Sequence, residues 1–312
     1  MGPREILLSA FIPGLAAAVL LAPPAFFMRR RERQAERQSS PSSAQWCGSR
    51  LLGALLVLLL VAGTLLGSYA WQTRLDLWPK QAQYRFPLVA LAAGLLGLAP
   101  ALLPNFRRLA LLAPLAALAG GFVAWIFLSL LHESLISVPM RWTWIVVSAL
   151  LTALHAVTLV RVADRLPGWR SPLLLSALAG TVALGATMSF ANAPLVLGPA
   201  AAVAGGALLA AIIHPRAAFT CGAAASVALL IGGTLVFANW FGDRERWLMY
   251  ALLAGTPLAT ALALLPPISR RGPTIRLLAA ALPALALGGV QAARAIPPLI
   301  ESMTQPAGTY DY

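Results

Sequence analysis

The charged residues of this chain fall only at the edges of long apolar runs and between them, never in the middle of one. A run of about 20 apolar residues matches the hydrocarbon thickness of a bilayer when it is helical. The runs cover about 6–28, 51–71, 87–104, 109–131, 143–160, 172–190, 194–213, 217–238, 248–267 and 277–296. Only 11% of the 312 residues are charged, 59% are hydrophobic and the mean hydropathy is +0.79. A soluble domain carries about a quarter charged residues. The expected fold is therefore all-α: one polytopic membrane helix bundle over 1–312, with about ten transmembrane helices. The break between the sixth and seventh runs rests on Asn192 and Pro194 alone. Without a turn at Ser189–Pro194 the count falls and every later segment changes side.

The connections test that count independently. Positive charge accumulates in the cytoplasmic loops of membrane proteins. With the segment after the first helix placed inside, the inner loops hold fifteen arginines and three acids, and the outer segments eight basic residues and seven acids. A wrong helix count would scramble this alternation. It predicts that both termini lie outside, with a short outer tail at 297–312. The net charge of +13 then belongs to inner loops. It does not mark a nucleic-acid partner, because no soluble basic module carries it. The expected location is a cell membrane, the bacterial inner (plasma) membrane.

Segment 29–50 (RRRERQAERQSSPSSAQWCGSR) reads as a flexible basic loop. Arg29, Arg30, Arg31 and Arg33 beside the membrane predict contact with anionic lipid headgroups, at about 1 kcal/mol per residue near the surface. The first run reads as a retained anchor rather than a cleaved signal, because the arginines follow it and only Arg4 precedes it. Trp71, Trp78, Trp142, Trp144, Trp240 and Trp247 fall at outer helix ends, where amphipathic rings form an interfacial belt. Cys47 and Cys221 have neither metal-ligand spacing nor the pattern of a disulfide framework. A faint likeness links 87–121 with 247–289, each a helix, a Leu-Leu-Pro stop, an Arg pair and a second helix.

No Asp, Glu, Lys or Arg sits mid-span, and intramembrane ionisable groups are the usual marks of ion pathways and proton relays. The strongest polar feature is Ser148, Thr152 and His155, spaced four and three apart and so on one helix face. They line a substrate path, with His155 as donor, acceptor or proton carrier, or else they hold the bundle by hydrogen bonds to a neighbouring helix. Gln291, three residues before Arg294, is a second candidate for the path, or a cap for its helix end. Gly255–Thr256–Pro257 and Gly198–Pro199 are expected helix breaks that free backbone carbonyls. Thr256 joins the candidates there. Small residues recur at every fourth position: Ala177, Thr181, Gly185 and Ser189; Gly198, Ala202 and Gly206; Ala113, Ala117 and Gly121. Such rows let membrane helices approach closely.

His132 and His214 fall near opposite helix ends, so haem on His155 lacks an axial partner. No G-x-S-x-G, H-E-x-x-H, P-loop or paired membrane carboxylate occurs. Neither enzyme activity nor a metal or other cofactor is expected. Two functions fit. One is a carrier or permease for a small neutral or apolar substrate, which predicts a cavity near mid-membrane. The other is a non-catalytic subunit that anchors other membrane subunits in a complex, which predicts a solid bundle centre.

Overall fold

The computed structural model describes residues 3–37, 44–69, 81–102, 105–187, 190, 192–214, 220–242 and 247–304. Among them there are helices and turns and no strand. In chain order the helices are α1 Pro3–Arg37, α2 Ala44–Tyr69, α3 Phe86–Leu102, α4 Asn105–Leu128, α5 Val138–Arg165, α6 Arg170–Ala186, α7 Ala193–Ile213, α8 Cys221–Phe241, α9 Trp247–Ala259, the single turn α10 Pro266–Ser269, and α11 Pro273–Thr304. Over the described residues each apolar run of the sequence is occupied mainly by helix. Among the described residues nine spans, with α9 counted together with the 3₁₀ stretch that carries it on to Leu264, are long and apolar enough to cross a bilayer, and α6 has 17 residues. At 1.5 Å per residue α6 reaches about 26 Å, the lower end of what spans. The chain is an all-α polytopic membrane bundle.

The turn between α6 and α7 exists. The Phe190 amide donates to Ala186 O at 2.8 Å, the Ala193 amide to Phe190 O at 2.9 Å, and the Leu195 amide to Asn192 O at 3.0 Å. Pro194 starts α7 where a missing N–H costs nothing. The two helices pack antiparallel: Ser176 Oγ donates to Ala201 O at 2.8 Å.

α8 is the axis. Its first fifteen residues, Cys221–Leu235, are all buried, and the helix packs against α2 to α7 and α9. Its small residues (Gly222, Ala223, Ala224, Ala225, Ser226, Gly232, Gly233) present no polar face that would need water, as befits a helix apolar all round. Around it the helices meet at small residues. A Cβ on Gly206 of α7 would overlap the Gly14 carbonyl of α1, and one on Gly14 would meet Ala202 O at 3.0 Å. α1 and α7 therefore run parallel at backbone contact. Thr181 and Gly185 of the α6 row face Gly288 and Leu253.

The two ends of the bundle differ. At one end Arg276 Nη1 donates to Arg165 O at 3.0 Å, Arg165 Nη1 to Leu264 O at 3.3 Å, and the Cys221 thiol to Asp164 Oδ1 at 2.7 Å, while Ser171 and Thr220 share a 2.6 Å hydroxyl pair. At the other end the rings of Phe86, Phe127, Phe190 and Phe237 pack with centroids 4.5–5.4 Å apart. Beside them buried Arg85 donates to Ile126 O and, at 3.3 Å, to Ser129 Oγ. A cation there suits the carbonyl end of α4. Loops that the charge pattern puts on one side thus meet at one end.

Three expectations are corrected. Segment 29–50 is helical through Arg37 and again from Ala44, leaving only 38–43 outside the described residues. Arg, Glu, Gln and Ala are good helix formers and extend a helix already nucleated in the membrane. α11 runs on to Thr304, past the expected end at 296, because Leu299, Glu301 and Met303 favour helix as well. Gln291 therefore caps no helix end. Pro199 leaves α7 unbroken, whereas α9 tightens into a 3₁₀ stretch at Thr260–Leu264, just after Pro257.

Candidate functional site

A cleft of about 290 Å³ lies between α5, α8 and α9 in the half of the bundle that holds the phenylalanine cluster. Ligand pockets run from about 300 to 1,000 Å³, so it suits a small molecule. Each helix contributes one stripe at helical spacing. α5 supplies Trp144, Val147, Ser148, Leu151 and Thr152; α8 supplies Gly232, Leu235, Val236, Asn239 and Trp240; α9 supplies Trp247, Tyr250, Ala251 and Ala254. No lining residue is charged. Trp144 and Trp240 stand edge to face, with centroids 5.7 Å apart at 89°, and wall the outer part. Tyr250 turns its hydroxyl away to Ala238 O at 2.8 Å, so it shows the cleft its ring.

Thr152 forms the floor. A Cβ on Gly120 of α4 would lie 2.5 Å from Thr152 Cβ, and one on Gly232 of α8 2.9 Å from Thr152 Oγ1. Two glycines thus bring α4 and α8 onto one threonine. Ser148, 7% exposed, lies one turn outward. His155 is fully buried one turn deeper, and its Nε2 is 2.8 Å from Ala254 O. A carbonyl only accepts, so Nε2 carries the proton and Nδ1 is a bare acceptor. Nδ1 is buried with no hydrogen-bond partner among the described residues. The bond ties α5 to α9 immediately before Gly255–Thr256–Pro257, where the proline disrupts the helical ladder. Neighbouring helices usually satisfy such backbone in membranes.

Of the residues singled out from sequence, Ser148 and Thr152 line the cleft, and His155 supports its floor through Ala254. Thr256 and Gln291 lie elsewhere. Thr256 Oγ1 donates to Leu252 O at 3.1 Å within α9, and its side chain packs on Gly288 of α11. Gln291 packs on Gly185 of α6. Both sit in the α6–α9–α11 seam, which is packing. Arg29 and Arg30 extend α1 beyond its apolar stretch, half-buried and exposed respectively. The side chains of Arg31 and Arg33 lie outside the described residues. His132 and His214 stand apart, His132 beside Ser134 after α4 and His214 at the end of α7.

The aromatic walls were missed, because an interfacial belt already accounts for tryptophans at helix ends. The signal was spacing: Trp144–Ser148–Thr152 and Trp247–Tyr250–Ala254 each keep one face. Two further grooves, of about 390 Å³ between α3 and α4 and about 520 Å³ along α9 and α11, are lined by apolar side chains alone. They offer a ligand no hydrogen bond. Neither a known protein family, nor a curated protein, nor a solved structure matches this chain.

Proposed function

We propose that this membrane protein is a carrier for a small uncharged molecule, which binds in the cleft between α5, α8 and α9. The cleft itself carries the reading: polar Ser148, Thr152 and Asn239 set in an apolar, charge-free wall, beside α9, which tightens into a 3₁₀ stretch after Pro257. The absence of charge fits a substrate that needs no counter-ion. In this reading the arginine-rich end faces the cytoplasm of a bacterial inner membrane, both termini lie outside, and Arg29, Arg30, Arg31 and Arg33 contact anionic lipid.

The anchoring-subunit reading predicts a solid centre, which the buried first fifteen residues of α8 fit; the cleft in the other half favours the carrier. Purification in native nanodiscs with mass spectrometry separates the two. A carrier comes alone and is thermally stabilised by a class of uncharged molecules. A stoichiometric set of co-purifying membrane subunits, with no ligand effect, would overturn the proposal.

A further inference from the structure

The cleft has a side as well as a top. Val147 and Ala251 line it and are exposed, Val147 at 44%. Val147 is nine residues into α5, about 13 Å from the helix start at 1.5 Å per residue. Exposure that far along a spanning helix faces hydrocarbon rather than water. The residues around this rim agree: Leu150 and Leu154 of α5 and Leu248 of α9 are all more than half exposed. Further along, the His155–Ala254 bond joins α5 to α9, and the Arg165–Leu264 bond joins it to the 3₁₀ stretch that follows α9. The gap between the two helices is thus confined to the half bearing Trp144, Trp240 and Trp247.

Resting on the reading of the cleft as a binding site, we infer that its ligand enters sideways from that leaflet, and is an uncharged amphiphile with one hydrogen-bonding group on an apolar body. Size limits the body. A cavity of about 150 Å³ admits benzene, so 290 Å³ holds an apolar body of roughly twice that size. The polar group is required by the floor and its surroundings: the Thr152 and Ser148 hydroxyls and the Asn239 amide lie within an otherwise apolar wall, beside the tryptophan and tyrosine rings. A group able both to donate and to accept, such as a hydroxyl, suits that floor. A cation meets aromatic faces here but no carboxylate, and an anion meets no cation.

Two measurements separate the route from the ligand. For the route, spin labels go onto Val147→Cys and Ala251→Cys in a Cys47→Ser background, with Cys221 left in place because it is buried. Leu154→Cys is the lipid-facing reference. Both rim sites should match the reference in oxygen collision and stay shielded from a water-soluble nickel chelate. Nickel access at the rim, or access to neither agent, overturns sideways entry. For the ligand, 1-decanol, decane and decyltrimethylammonium are titrated into the unlabelled protein in nanodiscs, with unfolding temperature as readout. Decanol should bind at least tenfold more tightly than the other two, and Ala251→Phe, which adds a benzene-sized group, should weaken it at least tenfold. Equal binding of decane or of the cation overturns the amphiphile assignment. Decanol binding with a water-accessible rim sinks the route and spares the carrier reading. No binding of any probe beside a lipid-accessible rim sinks the ligand class and the carrier reading together.

Discussion

Gly206→Ala should destabilise the bundle far more than Gly205→Ala, although the two are neighbours in α7. On Gly205 a new methyl meets only Ser176 Oγ, at 3.4 Å, an ordinary contact. On Gly206 it would overlap the Gly14 carbonyl and come within 3.0 Å of Ala17 Cβ and Ala18 N. Carbon prefers about 3.5–4.0 Å to its neighbours, so α1 must move out by on the order of 1 Å. Overpacking costs about 1–3 kcal/mol, and a backbone obstacle that no rotamer relieves puts this case at about 3. Replacing Gly by Ala in a helix returns about 1 kcal/mol at either site. The expected outcome is a net loss of about 2 kcal/mol for Gly206→Ala, and a change between zero and a gain of about 1 for Gly205→Ala. Thermal or denaturant unfolding in detergent, followed by tryptophan fluorescence, reads both. Equal stability of the two variants would refute the parallel backbone contact of α1 with α7.

Other outcomes follow from the same geometry. Gly232→Ala brings a methyl to 2.9 Å from Thr152 Oγ1, so adding Thr152→Ala should recover stability, with a coupling of about 1 kcal/mol in a double-mutant cycle. His155→Leu should change stability by less than about 1 kcal/mol, because the lost bond (about 0.6) is offset by relief of the buried Nδ1. A larger loss in the same unfolding assay would mean that Nδ1 has a partner. Phe237→Ala should cost about 2 kcal/mol: the side chain stays in an apolar phase when the bundle opens, so only the cavity counts, roughly 100 Å³ at about 24 cal/mol per Å³. Replacing Arg29, Arg30, Arg31 and Arg33 with Gln should remove retained anionic lipid in native mass spectrometry, by up to about 4 kcal/mol of binding.

The fold was legible because a bilayer enforces one rule: backbone must be satisfied within each span, so apolar runs become helices and charges mark their ends. The marginal turn at Asn192–Pro194 was readable from one proline. Helix ends were less so. Arg29–Arg37 and Leu299–Thr304 continue helices that hydropathy ends, because polarity alone does not stop a helix. The site was half legible. Ser148, Thr152 and His155 stood out as polar groups on one face, whereas Thr256 and Gln291 look equally polar in sequence and differ only in which neighbour they meet. That choice depends on glycines such as Gly120, Gly232 and Gly288 on other helices, and no local pattern reveals it.

Proteoliposomes loaded with a mixture of small uncharged amphiphiles, with efflux followed by mass spectrometry, test the central claim most directly. At least one solute should leave faster through the protein than through protein-free liposomes, and Ala251→Phe should abolish the difference. Retention equal to that of protein-free liposomes, or efflux untouched by Ala251→Phe in a well-folded variant, would contradict a carrier working through the α5–α8–α9 cleft.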